Sequence, residues 1–382
     1  MATDHTLLNR QLDTHTYMVY LYDVTSQNVV TTIPATSLSF GESLCDFGEA
    51  EIKLKVNPTT SRLGGLAKDL ATGKRTIYIF RAGKLVWGGL LYEWTYTSSS
   101  RSLSVRGRTF EWYLFRRFQR ITKEWKTATE QLEIARTLVS PALSDINASM
   151  GSGTSGIKRQ INVYSYDFKT IGDRLDDLSN MINGFDWGFN LSVGPNNTIS
   201  RTFNYWYPHK GKTKANTDIA FNYPDGAIID YTYTNTLADA STDVYTLGAG
   251  EGNEMLVAKA TKNDKTGFGT FEESYSYKDV KKQTTLQGHA NARMAQKDAP
   301  IELTDVTVRA NRDDAPTIGS FSVGDWAWFS IRDWMFPEGM KSYMRITEYT
   351  VKVDEDGLEE IDLTLNTERQ QDFEDSGAAS DG

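Results

Sequence analysis

Apolar and polar residues alternate with period two along most of the chain, and this pattern predicts strands with one buried face. The clearest case is residues 51–56, where Ile52, Leu54 and Val56 alternate with charged residues. Tyr, Trp, Thr and Val fill the alternating segments, as is typical of strands. Further strands are predicted at 17–22, 76–80, 90–97, 102–106, 199–205, 228–233, 301–308, 321–331, 343–353 and 358–365.

Helical periodicity is confined to a few short segments. Thr127 and Glu130 have the spacing of a capping box, which predicts a helix that ends at Pro141. Thr170 precedes apolar residues at helical spacing, and Gly184 stands where a C-cap is expected. Two further helices are predicted at 286–294 and 63–70.

A weak repeat divides the chain into two halves. In the first, a strand at 75–80 precedes a long two-stranded ribbon over 85–107. In the second, a strand at 323–331 precedes a ribbon over 343–365. The order of elements repeats although the residues do not, which predicts two related antiparallel β-barrels in one chain.

Composition narrows the class of protein. The chain has 382 residues, 39% hydrophobic and 24% charged, which are ordinary values for a globular protein of two or three domains. The single Cys45 cannot form an internal disulfide, and we expect it to be a small buried apolar residue. No stretch resembles a membrane span or a secretory signal, so we expect no membrane anchor.

Acidic residues are concentrated near the C-terminus. The net charge is −9, and residues 354–382 contain eleven acids and one base. Residues 372–382 have nothing to bury and are predicted to form a disordered acidic tail.

The candidates for chemistry in this sequence are weak. The glycines at 248–252 follow a strand, but the next segment is predicted to be a strand too, which excludes the strand-turn-helix of a dinucleotide site. No pair of carboxylates, nucleophile with a base, or Cys/His cluster stands out. We therefore predict no catalytic residues, no metal site, no cofactor and no enzymatic activity.

A basic and aromatic segment spans residues 101–126, with eight bases and two acids. Such a segment can bind single-stranded DNA, but the rest of the body has no basic surplus to extend it. Arginine and aromatic residues are also enriched at protein interfaces, which we favour here. The predicted inter-subunit interface residues are Arg106, Arg108, Trp112, Arg116 and Arg117.

Several segments together resemble the minor tail proteins, or baseplate hubs, of long-tailed phages (siphoviruses) that infect actinobacteria. The segments are 17–23, 51–56, 77–89, 103–107, 113–117, 130–138, 171–182, 247–252 and 286–294. No one segment is specific, and the resemblance rests on their order over about residues 15–370.

The resemblance implies a mainly β fold in which two tail-tube-like antiparallel barrels flank a small α/β insertion. The corresponding domains are 1–115 (first barrel), 116–235 (α/β insertion), 236–371 (second barrel) and 372–382 (acidic tail). It also implies a homotrimer that joins a sixfold tail tube to a threefold tip and forms part of the DNA-ejection channel. The location would be the tail tip of the virion, after assembly in the host cytoplasm.

The same resemblance implies partners: the distal tail or tail-tube protein, the tape-measure protein, tip or receptor-binding proteins, and genomic DNA in transit. The acidic residues Asp354, Asp356, Glu359 and Glu360 fall at the turn of the second ribbon, and we expect them to rim the lumen and repel DNA phosphates. The alternative is a carbohydrate-binding or cell-wall-cleaving β protein of the tip, since tryptophan and tyrosine are abundant.

Overall fold

The computed structural model describes residues 17–57, 65–234, 240–262, 269–297, 303–309 and 316–366. The predicted acidic tail lies outside these residues, as does the start of the helix predicted at 63–70. Large antiparallel sheets dominate the described residues, which confirms the mainly β fold class.

Residues 17–109, the first repeat, form seven strands and one helical turn. In β4 the predicted alternation is seen directly, because Ile52 and Leu54 are buried while Lys53 and Lys55 point to solvent. The elements are β1 (Tyr17–Asp23), β2 (Val29–Ile33), β3 (Ser37–Ser43), β4 (Glu49–Lys55), α1 (Leu66–Asp69), β5 (Arg75–Arg81), β6 (Lys84–Thr97) and β7 (Ser102–Thr109). Their order in the sheet is β3-β4-β7-β6-β5-β1-β2.

The last part of the chain repeats this order. Its strands are β15 (Ala220–Tyr223), β16 (Ile228–Tyr233), β20 (Leu303–Arg309), β21 (Trp326–Ile331), β22 (Met340–Val353) and β23 (Glu359–Asn366). In the sheet they run β16-β20-β23-β22-β21, and β15 lies beside β21. The strands β16, β20, β21, β22 and β23 thus correspond to β3, β4, β5, β6 and β7, which gives the predicted repeat a definite topology.

The two long ribbons share an irregularity as well as a position. The β6–β7 pairing shifts register between Leu91 and Glu93, and the β22–β23 pairing shifts between Ile346 and Glu348. An extra residue in one strand bends it and increases its twist. Each ribbon therefore bends at the same place, immediately before a glutamate.

A middle region separates the repeats. Its larger elements are α2 (Glu111–Arg116), α3 (Gln131–Leu143), α4 (Ile171–Ser179), β13 (Asp186–Val193) and β14 (Ile199–Trp206). Two-residue strands accompany them: β8 (Lys123–Glu124), β9 (Thr129–Glu130), β10 (Ser149–Met150), β11 (Lys158–Arg159) and β12 (Asn162–Val163). A separate apolar core holds this region together, with Leu138, Leu175 and Trp187 at its centre.

Three predicted features of the middle helices are wrong in detail. Glu130, and not Thr127, caps α3, because its carboxylate accepts hydrogen bonds from the backbone of Leu132 and Glu133. Pro141 lies inside the last turn of α3 and does not end it. Thr170 precedes α4, as predicted, and the structure shows that it caps the helix through reciprocal hydrogen bonds with Asp173. The helix ends at Ser179, before the predicted C-cap Gly184.

A small unit is inserted in the second repeat between β16 and β20. It contains β17 (Asp243–Leu247), β18 (Val257–Thr261), β19 (Glu272–Ser276) and α5 (Gln283–Lys297), with its own apolar core. The glycines at 248–252 connect two strands here, as predicted. The sheet of the second repeat extends to both sides of the predicted domain boundary at residue 235, since β15 and β16 precede it.

A buried ion pair connects the middle region to the second repeat. Nη2 of Arg345 on β22 lies 2.5 Å from Oδ2 of Asp186 at the start of β13, and both side chains are buried. Arg345 also donates to the carbonyls of Gly324 and Lys210. Cys45 is buried beside this pair, as predicted, with its sulfur 3.7 Å from Asp186 Oδ1.

We expect Arg345→Met to lower the free energy of unfolding by about 3–5 kcal/mol, because it removes the buried guanidinium that is paired with the buried Asp186 carboxylate. Urea denaturation followed by tryptophan fluorescence measures the loss. Lys352→Met is the control, since Lys352 lies on the same strand but its ion pair with Asp362 is exposed. Equal losses in the two variants would contradict the assignment.

Candidate functional site at the junction of the two repeats

The two repeats are joined edge to edge by backbone pairing between β3 and β22. Six residue pairs form this antiparallel ladder, from Leu38 opposite Val353 to Ser43 opposite Glu348. The Leu44 amide extends it by donating to Thr347 O at 2.8 Å. The ladder merges the two repeats into one 13-stranded sheet with a shared apolar core.

Close approach of the two strands depends on a glycine. A Cβ at Gly41 would lie 2.4 Å from the carbonyl oxygen of Tyr349, which is closer than atoms can pack. The Gly41 carbonyl also accepts a hydrogen bond of 2.9 Å from the buried indole of Trp87. Gly41 therefore lets β22 approach while its carbonyl is bonded from the first repeat.

A bidentate ion pair between Arg81 and Glu359 reinforces the junction. Arg81 at the end of β5 contacts both carboxylate oxygens of Glu359 at the start of β23, at 2.7 and 2.8 Å. Paired parallel bonds of this kind are among the strongest charge-assisted hydrogen bonds. Burial, together with the Glu359 carboxylate, raises the pKa of the neighbouring Tyr17.

Glu359 does not fit the predicted acidic rim. Its side chain is completely buried, and its charge is matched by Arg81. Of the other predicted rim residues, Asp354 and Asp356 are exposed in the turn between β22 and β23, and Glu360 is half-buried opposite Lys352. Asp354 also organises this turn, because Oδ1 accepts from the amides of Asp356 and Leu358.

A cavity of about 220 Å³ lies beside the junction, where both repeats meet the middle region. Three carboxylates line it, those of Glu42 of β3, Asp46 and Glu111 of α2, together with Lys210. Burial raises the pKa of both glutamates, and the charge of Glu42 adds to the effect on Glu111. Glu111 also accepts a hydrogen bond of 2.7 Å from the Phe189 amide, which ties α2 to β13.

Three of the four predicted interface arginines, Arg106, Arg108 and Arg117, form ion pairs within the chain. Arg106 contacts Glu51 at 3.1 Å and Glu93 at 3.3 Å on the outer face of the first sheet. Arg108 contacts Glu49 at 2.6 Å, and its guanidinium lies over the Trp112 ring at 5.5 Å.

The last two predicted interface residues, Arg116 and Arg117, lie at the end of α2. The Arg116 guanidinium is 6.0 Å from the centre of the Trp112 ring, and Arg117 lies 3.4 Å from Asp145. Arg108, Trp112 and Arg116 thus lie in contact with one another through the Trp112 ring, and the role of all five residues between subunits stays a prediction.

Two strand segments that correspond to the junction are unpaired on one side in the described residues. After its bend, β6 pairs only with β7, whereas the corresponding part of β22 also pairs with β3. Likewise β16 pairs only with β20, whereas the corresponding β3 has strands on both sides. Exposed edges of this kind are ready to pair with another chain.

Sequence reasoning missed the charged residues of the junction. Arg345 was the most visible, because it interrupts the apolar run of Met344 and Ile346 at a position where a charge requires a buried partner. Glu42 and Arg81 carry no such signal, since each lies at a strand end where charged residues are common. Their partners are far away in sequence, so no local pattern identifies them.

Neither a metal site nor a membrane helix is found in the part of the chain that the structure describes. No group of three or more His, Cys, Asp or Glu side chains there has the geometry to hold a metal ion. Among the described helices, none combines the length and apolar character needed to cross a membrane.

The fold is that of phage tail proteins. The tail protein from Neisseria meningitidis MC58 aligns with a TM-score of 0.62 and 14% identity, over 91% of this chain and 96% of that one. The 43 kDa tail protein of prophage MuSo2 from Shewanella oneidensis aligns with a TM-score of 0.63 and 12% identity, over 94% and 99%. Prophage tail protein gp18 from Listeria monocytogenes EGD-e gives 0.55 and 13%, over 93% and 97%.

The sequence matches the siphovirus ReqiPepy6 Gp37-like protein family over residues 17–365, and the chain belongs to that family. The predicted resemblance to siphovirus tail proteins is thereby confirmed, and the chain is a member of a family of structural tail or baseplate proteins. A search of curated proteins gave no match.

We expect Glu359→Ala to lower the free energy of unfolding by about 3 kcal/mol, because Arg81 then lies at the junction without its counter-ion. Thermal or urea unfolding of purified protein measures the change. Glu360→Ala is the matched control on the same strand, and its loss should be much smaller. A variant pair with indistinguishable stability would contradict the role of the ion pair.

We expect stability to fall as pH rises above the ordinary glutamate value of 4.5, because the unfolded chain then releases the Glu42 proton while the folded chain retains it. Glu42→Gln should reduce this slope and leave stability at lower pH little changed. Urea midpoints between pH 4 and 8 test this, with exposed Glu355→Gln as the control. An unchanged slope in Glu42→Gln would contradict it.

Proposed function

We propose that this chain is a tail hub, a structural subunit that forms a trimeric ring at the tail tip. The proposal rests on the junction described above, in which β3 of the first repeat pairs with β22 of the second repeat. Because the two repeats share one strand order, the same kind of contact could form a second time, between chains. The pairing partners that would repeat this contact, β16 and the last part of β6, are left on the outside. The unpaired backbone groups of these two segments can form hydrogen bonds with the corresponding segments of a further copy of the chain.

The repeat predicts which residues meet in that contact. Glu93 and Glu348 follow the bends of β6 and β22, so Thr97 corresponds to Lys352. In the junction, Lys352 lies opposite Ser39 of β3. The residue of β16 that corresponds to Ser39 is identified in the next step.

Ser39 pairs with Glu51 of β4. Glu51 pairs with Arg106 of β7, and Arg106 also pairs with Glu93 of β6. In the second repeat, Thr232 of β16 pairs with Asp305 of β20. Asp305 pairs with Thr364 of β23, and Thr364 also pairs with Glu348 of β22. Thr232 therefore corresponds to Ser39. In the proposed contact, Thr232 lies opposite Thr97 of the neighbouring copy.

The proposed contact is head-to-tail, since β16 of one copy meets β6 of the next. Contacts of this type produce rings when the rotation closes. Three chains would supply six related repeats, which matches the sixfold symmetry of a tail tube to the threefold symmetry of a tip. We propose the tail-tube or distal tail protein, the tape-measure protein and the tip proteins as neighbours, with DNA in transit through the ring.

Within this ring we propose that Asp354 and Asp356 rim the channel and keep DNA phosphates from adhering. Their exposure and their place in the turn of the long ribbon support this role. Glu360 would add less to the charge of the rim, because it is half-buried. Glu359 is not part of the proposed rim, because its side chain is buried.

We expect the double variant Thr97→Cys with Thr232→Cys to form disulfides between subunits on mild oxidation. Both residues are exposed in the single chain, and Cβ atoms of directly opposite strand residues lie close enough for a disulfide. Denaturing gels without reductant should then show covalent dimers and trimers. Buried Cys45 should not interfere.

The controls are each single variant and the pair Thr97→Cys with Thr213→Cys, which places the second thiol on an exposed loop outside β16. These should give no ladder ending at a trimer. Light scattering and particle imaging on the same samples give the subunit number. A protein that stays monomeric at high concentration and within assembled tails would overturn the ring.

A further inference from the structure

The loop between β21 and β22 displays two large apolar side chains to solvent. Trp334 is 102% exposed and Met335 is 72% exposed. The corresponding connection in the first repeat, between β5 and β6, consists only of Ala82 and Gly83. The second repeat thus carries an extension of residues 332–339 that the first repeat lacks.

This extension is held in a defined shape. Asp333 Oδ1 accepts hydrogen bonds from the amides of Met335 and Phe336, at 2.8 and 3.0 Å. The Tyr231 hydroxyl donates to the other oxygen of Asp333. The Phe336 ring packs against Tyr233, with 4.9 Å between ring centres. Because Tyr231 and Tyr233 belong to β16, the loop is attached to the strand with the free edge.

The internal junction indicates what lies opposite this loop in the ring. There, Arg81 at the end of β5 reaches Glu359 at the start of β23. The end of β21 corresponds to the end of β5, and the start of β7 corresponds to the start of β23. The loop after β21 would therefore face the turn that precedes β7, residues 98–101 of the neighbouring copy.

That turn has the chemistry to receive an indole and a thioether. Arg101 is exposed at its end, with a left-handed backbone (φ 50°), and its carbonyl accepts from the Val56 amide at 2.8 Å. Tyr96, just before the turn, is 45% exposed. A guanidinium over an indole face is a favourable contact, and tryptophan and arginine dominate binding at many interfaces.

We propose that Trp334 and Met335 are the anchor of the contact between subunits, where they pack on Tyr96 and Arg101 of a second copy of this chain. The inference rests on the proposed ring. It adds a side-chain anchor to the backbone pairing of β16 and β6. It also gives a role to a fully exposed tryptophan in a loop whose shape is fixed by Asp333.

Trp334→Ala should weaken association between subunits at least about tenfold, measured by sedimentation equilibrium over a range of concentrations. Folding should be unaffected, since the side chain contacts solvent only. Tyr166→Ala is the matched control, because Tyr166 is 68% exposed on the middle region, away from the predicted contact. An unchanged dissociation constant for Trp334→Ala would overturn the proposal.

The contact with Arg101 is tested by a double-mutant cycle. Arg101→Ala should weaken association, and the double variant with Trp334→Ala should be weaker than wild type by less than the product of the two single effects. Strictly multiplicative effects would remove Arg101 from the anchor.

The Thr97→Cys and Thr232→Cys cross-link separates this proposal from the ring itself. A cross-link that forms at high concentration, with Trp334→Ala associating as wild type, would leave the ring in place and assign Trp334 to a different partner. No cross-link and no association in the parent chain would overturn the ring, and the anchor with it.

Discussion

Backbone pairing between β3 and β22 is the contact on which the arrangement of the whole chain depends. A strand at the edge of a sheet presents unpaired amides and carbonyls, and a folded protein must cover, blunt or pair them. Here the first repeat covers its β3 edge with the long strand of the second repeat. Gly41 permits the approach, and Arg81 with Glu359 fixes one end of it.

The same requirement connects the fold to the proposed ring. Duplicating a sheet within one chain pairs β3 of the first repeat with β22 of the second, and among the described residues it leaves β16 and the last part of β6 with one unpaired side each. The bends at Leu91 and Ile346 lie at corresponding places in the two long strands, so the proposed external contact can repeat the pairing of the internal one. The two tyrosines of β16 then connect the open edge to the loop that carries Trp334.

The sequence predicted the fold class and the repeat well because both rest on local patterns. Alternation in residues 51–56 and in both ribbons reports burial of one face, which is decided residue by residue. The cap of α3 was missed because threonine is a favoured N-cap residue and glutamate is not, and only the path of the chain places Glu130 at that position. The burial of Glu359 could not be predicted, since its acidic neighbours suggested solvent and its partner lies in the other repeat. The insertion of β17 to α5 between β16 and β20 also lacked a local signal, because each of its elements looks like those around it.

The internal junction also sets an order of events during synthesis. Leu38 and Val353 pair across about 300 residues of chain. At roughly 5–20 residues per second, the β3 edge leaves the ribosome tens of seconds before its partner exists. During that interval the β3 edge lacks its native partner β22, and pairing with strands of other nascent chains would compete with folding. The lysines and glutamates of neighbouring β4 then protect the growing chain, because charged side chains next to an open edge disfavour pairing with the wrong strand.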